Sequence, residues 1–200
     1  HQVVRRQRQM CIRDSYKHDN PYLHGVYAPT NRELDQDRLE VIGELPSDLR
    51  GTYYRNGANP VFEPKNRYHP FDGDGMVHAL HINDDGARYV NRWIDTPAFS
   101  DEATAGESVS PGVMGPFDYS VSEFGIKDTS NTDIFALNGD LVSLWYNAGN
   151  PIVLDPMTLE TRKAFHLDGR DKPKMSAHSK VDWNTGELLY FDYNDAPPYM

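Results

Sequence analysis

A mainly β fold is what this sequence predicts, and three observations carry the prediction. From Gly51 onward, short apolar or alternating runs rich in Val, Ile, Tyr and Phe are separated by turn residues. Fourteen prolines and fifteen glycines in 200 residues supply many tight connections. No long stretch carries a convincing helical period.

Taken in order, residues 1–15 (HQVVRRQRQMCIRDS) hold four arginines against the single acid Asp14 and lack a secretory signal's apolar core. They read as an arginine-rich arm or as a tail foreign to the fold, and are set apart from it. Residues 16–42 read as an amino-terminal extension, in which only Arg32–Val41 suggests a short helix, opened by Thr30 or Asn31 as cap. Residues 43–200 form one domain. Within it Val77–Ile82 alternates, Ala87–Trp93 follows the turn NDDG, and Phe99–Asp128, rich in Gly, Ser and Pro, reads as a long irregular connection. Asp133–Leu137 and Leu141–Tyr146 flank NGD, Ile152–Leu154 runs into DP, and Leu188–Tyr193 follows WNTGE. The closing ELLYFDYNDAPPYM reads as a strand and an unfinished turn, as a fragment would end. Hairpins in succession suit a sandwich, a barrel or a propeller, and periodicity does not choose among them. There is no clean internal repeat.

Composition narrows the function. With Cys11 the only cysteine, no internal disulfide framework exists. Thirty acidic against twenty basic side chains give a formal charge of -10, and no basic cluster follows the tail, so nucleic acid is not an expected partner. No apolar run approaches the roughly 20 residues of a membrane span, which leaves room only for a shallow surface contact. The expected location is the cytoplasm.

The conspicuous stretch FDGDGMVHALHI (71–82) looks like a site. A calcium loop starting at Asp72 fails, because its twelfth position is Asn83 and other ligand positions hold Met76, His78 and Leu80. His78 and His81 lie three apart and point to opposite faces of a strand. As backbone chemistry the stretch is a turn feeding a strand, with Asp72, Asp74 and His78 as scaffold. In KMSAHSKVDWNTGEL, His178 follows the small residues Ser176 and Ala177. A lone histidine in a β protein is more often a partly buried or surface residue than a ligand, but small neighbours leave room for a metal or substrate. His1, His18, His24, His69 and His166 are scattered, and no G-x-S-x-G or phosphate-binding glycine motif is present.

Six segments, in order, resemble the carotenoid cleavage oxygenase family, which includes stilbenoid-cleaving enzymes and a retinoid isomerase. They are GELPSDLRGTYYRNGANPVF (43–62), YHPFDGDGMVHAL (68–80), YVNRWIDTPAF (89–99), SNTDI (130–134), LVSLWYNAGNPIVLDPMTLET (141–161) and SAHSKVDWNTGE (176–187). The resemblance implies a seven-bladed β-propeller, here partial, with Fe(II) on its axis held by four histidines. One falls on His178, in the family's AHPK motif, and three would lie beyond Met200. It implies an apolar conjugated substrate and O2, with no organic cofactor and no protein partner. The expected reaction splits a double bond of a carotenoid or apocarotenoid into two carbonyls; stilbenoid cleavage and retinoid isomerisation are the alternatives. The amino-terminal fragment alone is expected to be inactive. Ser179 stands where the family has proline after the ligand. Asn147 stands where many members have a glutamate that bonds a ligand histidine, and an asparagine raises that ligand's basicity less. Tyr146, in place of the lysine common in stilbenoid cleavers, is the candidate for the substrate tunnel, to which some of the 23 aromatics would contribute.

Overall fold

The computed structural model describes residues 20–146, 149–167, 170–171, 174–193, 197 and 199–200. Residues 1–15 therefore lie outside the described residues, as does Asn147. The described β structure consists of two four-stranded antiparallel sheets and two two-stranded pairs.

The first sheet contains β1 (Asp35–Gln36), β2 (Gly51–Ala58), β3 (Gly75–Asn83) and β4 (Gly86–Trp93), in the order β1-β4-β3-β2. Its central hairpin turns at Asn83, whose side chain accepts the Asp85 N–H, and at Gly86, where φ is +118°. The alternation predicted for Val77–Ile82 sorts the strand as expected. Val77 and Ala79 point into one core with Val90 and Ile94, while Met76 points the other way to meet Trp93, Val61 and Phe99.

The second sheet runs β5 (Asp133–Leu137), β6 (Asp140–Leu144), β7 (Ile152–Leu154) and β8 (Thr161–Ala164) as a meander. Leu141, Ile152 and Leu154 pack against the first sheet, and Val142, Leu144 and Val153 pack on the opposite side against Phe165, Met175 and Ala177. The sheet is thus covered on both faces, and its apolar pattern alone does not fix its register. The turn does: Asn138 and Gly139 have φ of 51° and 84°, the two left-handed residues of the tight hairpin that NGD encodes. Two short pairs follow, β9 (His166–Leu167) with β10 (Arg170–Asp171), and β11 (Lys180–Val181) with β12 (Leu188–Leu189).

Three sequence expectations need correction. Arg32–Val41 is not a helix, because its backbone is claimed by the edge of the first sheet. Asp35 and Gln36 pair with Val90 and Tyr89, the Asn91 amide binds Leu34 N–H and the Arg32 carbonyl, and Arg88 forks onto Asp35. Weak helical propensity yields to those contacts. Conversely, the connection read from Phe99 begins inside a helix, α1 (Pro97–Ala105). Its signals are Thr96 as cap, accepting the Phe99 N–H, Pro97 in the first turn and Gly106 at φ 77° as terminator. Finally, the runs read as Leu141–Tyr146 and Leu188–Tyr193 leave their sheets at Leu144 and Leu189. The Trp145 carbonyl turns to accept the Ala177 N–H, and the Phe191 carbonyl accepts that of Ser176. No described helix is long and apolar enough to cross a membrane.

Candidate metal centre

The segment Lys127–Asp133 crosses from the first sheet to the second, and side chains stitch it down. The Asn56 amide donates to the carbonyls of Ser130 (2.8 Å) and Asp133 (3.1 Å), and the Asn131 amide donates to those of Gly73 (2.7 Å) and Phe71 (3.0 Å). The Gly75 N–H donates to the Thr129 carbonyl. Gly75 can have no side chain there, because a Cβ would lie 2.6 Å from that oxygen. Ser130 and Ser143 share a buried hydroxyl bond of 2.6 Å.

Under this crossing lies a charge cluster. Lys127 Nζ sits 2.6 Å from Asp74 Oδ1 and 2.5 Å from Glu102 Oε2, all three side chains being under a tenth exposed. Burial pushes the ammonium down, but the two carboxylates outweigh it and hold it above the usual lysine value. Asp74 also accepts the Val61 N–H, and Asp72 accepts those of His69 and Val113. His78 bonds the Tyr89 hydroxyl (2.6 Å) and His81 that of Thr52 (2.8 Å), so both rings are engaged on opposite faces of β3. Nearby, a small, shallow cleft is lined by residues including Phe62, Arg67, Tyr68, Asp72 and Lys127. It includes neither His178 nor Tyr146, so it is not where those residues would meet a ligand.

His178 follows the buried run Met175–Ala177, whose backbone bonds to Gly149 and Trp145 lay it alongside the segment that carries Tyr146. The residue itself is exposed, and its φ is +74°. Its N–H donates to Asp133 Oδ2 at 2.7 Å, and its carbonyl accepts from Lys180 Nζ at 2.9 Å. The sequence singled out His178 but not Asp133, which is 45 positions away. Ser179, which replaces the expected proline, is buried, and its hydroxyl turns back to the Ser176 carbonyl.

The Tyr146 ring lies tilted against Phe71 (centroids 5.2 Å apart) and edge-on to Trp145 (5.1 Å), and its carbonyl accepts the Tyr193 hydroxyl at 2.6 Å. Desolvation, with Asp72 and Tyr193 nearby, pushes its phenol up to about 12. It therefore stays neutral and able to donate at any ordinary pH.

Asp128 braces the same region, accepting the N–H groups of Ser130 (3.2 Å) and Asn150 (3.3 Å) with an oxygen against Gly149. Part of the residue remains exposed, but the carboxyl group points inward, and its desolvation, opposed by those two bonds, raises it to about 7. The folded state thus holds a proton that the unfolded chain releases near pH 4. Stability from this group falls as pH rises from about 4 to about 7, by on the order of 2–4 kcal/mol. Asp128→Asn should remove that slope in unfolding free energy measured between pH 4.5 and 8. Parallel curves for variant and wild type would sink the assignment.

Whether this arrangement fits Fe(II) is a question of donors. Imidazole is a good iron ligand, and the His178 ring is accessible and takes no hydrogen bond from any described residue. Among the described residues, no three His, Cys, Asp or Glu side chains come together as a metal site. Among the described residues, then, His178 offers a single accessible imidazole of the kind Fe(II) accepts, without a cluster of further donors beside it.

Comparison with known proteins gives a consistent picture. Residues 27–200 match the family described as Retinal pigment epithelial membrane protein. Isoeugenol monooxygenase of Pseudomonas nitroreducens is 38% identical over 176 residues, covering 86% of this chain and 36% of the relative. The chloroplastic 9-cis-epoxycarotenoid dioxygenase NCED6 of Arabidopsis thaliana is 34% identical over 192 residues, covering 86% and 33%. The crystal structure of Pseudomonas brassicacearum lignostilbene dioxygenase superposes with a TM-score of 0.77 at 29% identity, covering 88% of this chain and 37% of that one. The chain spans about a third of the length of these relatives. With the match running through both four-stranded sheets and the His178 segment, the chain belongs to the Retinal pigment epithelial membrane protein family of oxygenases.

Proposed function

We propose that this chain is the amino-terminal third of an Fe(II)-dependent dioxygenase that cleaves a conjugated carbon–carbon double bond with O2 to give two carbonyl products. The observation that carries the reading is His178, an accessible imidazole on a tightly held backbone beside the aromatic Tyr146 segment. His178 is one of the iron ligands. Bound iron supplies O2 activation. The chain's own residues do the rest: His178 presents its imidazole, and Tyr146 with Phe71 offers an apolar wall that stacks on a conjugated substrate and excludes water. The neutral Tyr146 phenol is available to donate to a substrate oxygen. Asn147 is the neighbour that would accept from a ligand imidazole. The sheets are the first blades of a seven-bladed propeller that the rest of the polypeptide closes.

A phenylalkene substrate is favoured over a carotenoid by degree of similarity: the isoeugenol monooxygenase is 38% identical against 34% for the 9-cis-epoxycarotenoid dioxygenase, and the lignostilbene dioxygenase superposes with a TM-score of 0.77 against 0.65 for the Synechocystis apocarotenoid oxygenase. The deciding experiment incubates the full-length iron-loaded protein with isoeugenol, resveratrol and an apocarotenal under labelled O2. Two carbonyl products, with label incorporated, are expected from a phenylalkene. Isomerised product without label would replace cleavage by isomerisation, and no turnover of any of the three would overturn the reading.

A further inference from the structure

We propose that Asp133 is a positioning residue for the metal centre, holding the backbone of His178 so that its imidazole points where iron binds; this rests on His178 being an iron ligand. His178 is one of only four described non-glycine residues with positive φ. A side chain sits there at a cost in backbone strain, and such a conformation persists only where its surroundings over-determine it. Those surroundings are specific. The N–H of His178 donates to the Asp133 carboxylate at 2.7 Å, a charge-assisted bond, and its carbonyl accepts from Lys180 Nζ. Both peptide groups flanking the ligand are therefore held by charged side chains.

Asp133 is itself immobilised. It opens β5, its Oδ1 accepts the Ile134 N–H at 2.8 Å, and its carbonyl accepts from Asn56 of the first sheet. The clamp thus ties His178 to the junction of the two sheets rather than to its own loop. No proline follows the histidine, since Ser179 stands there, so no ring restricts the conformation of residue 178. No described residue bonds the imidazole either. The ring's direction is inherited from the backbone, and Asp133 fixes that backbone.

The test compares wild type, Asp133→Ala and Asp133→Asn in the full-length protein by Fe(II) affinity and by the visible absorption spectrum of the Co(II)-substituted site at saturating metal. An asparagine oxygen can accept the same N–H, so Asp133→Asn should keep the wild-type spectrum. Asp133→Ala should shift it and weaken Fe(II) binding by roughly tenfold or more, the range for residues that orient metal ligands. A purely structural role would lower the unfolding temperature of Asp133→Ala and leave the saturated spectrum unchanged, which overturns the inference. Equal damage by asparagine also overturns it, because charge rather than the hold on the backbone would then be at work. Wild-type protein that binds neither metal, or His178→Ala that binds both as tightly as wild type, overturns the iron reading itself.

Discussion

Lys127→Met is expected to destabilise the protein by about 3–5 kcal/mol, the cost of leaving a buried charge without its partner. The ammonium is shared by Asp74 and Glu102, which are 2% and 1% exposed. Each carboxylate spends its other oxygen on the scaffold: Asp74 on the Val61 N–H, and Glu102 on Ser108, Val109 and Ser110. Neither can turn toward water when Lys127 goes without abandoning those donors, so two like charges would be left facing one another in a dry site. The cluster joins β3's approach, α1 and the crossing to the second sheet, so its loss should loosen all three together. Calorimetric unfolding checks the magnitude. Combining Lys127→Met with Asp74→Asn and Glu102→Gln should recover most of the loss, since the amide oxygens still accept the backbone bonds. A single variant as stable as wild type would show that the charges are not coupled.

That cluster also shows where the sequence stops being readable. Strands with tight turns are local, so Asp133–Leu137 and Ile152–Leu154 fall where alternation and turn residues put them. So does the hairpin at NGD, because φ at Asn138 and Gly139 is a property of those residue types. Arg32–Val41 fails because pairing with β4, more than 50 positions away, outweighs local preference. The helix at Pro97–Ala105 had legible caps at Thr96 and Gly106, and was hidden only by the Gly- and Ser-rich stretch behind it. Within the candidate site, His178 announced itself through small neighbours and motif order, whereas Asp133 looked like one more acid in an acidic chain. Its role is set by a contact across 45 positions, and no spacing rule reaches that far.

The conspicuous histidines of FDGDGMVHALHI and the inconspicuous one at 178 make opposite predictions. His178→Ala removes an exposed ring with no described partner, so the fold should tolerate it, with a change in unfolding free energy within about 0.5 kcal/mol. Metal and turnover should not survive it. With O2 activation lost along with the iron, the full-length protein's rate should fall by at least a thousandfold, the equivalent of about 4 kcal/mol or more. His81→Ala should do the reverse. His81 is 6% exposed and bonds the Thr52 hydroxyl at 2.8 Å, so its removal loses that bond and leaves a void, costing roughly 1–3 kcal/mol. Its ring lies in the first sheet and does not face His178's segment in any described contact, so iron content should stay at the wild-type level. Metal analysis and thermal unfolding on the two variants separate a ligand from a scaffold histidine. If His81→Ala lost iron while His178→Ala kept it, the centre would have to be moved from the second sheet's edge to the first sheet, and the functional reading with it.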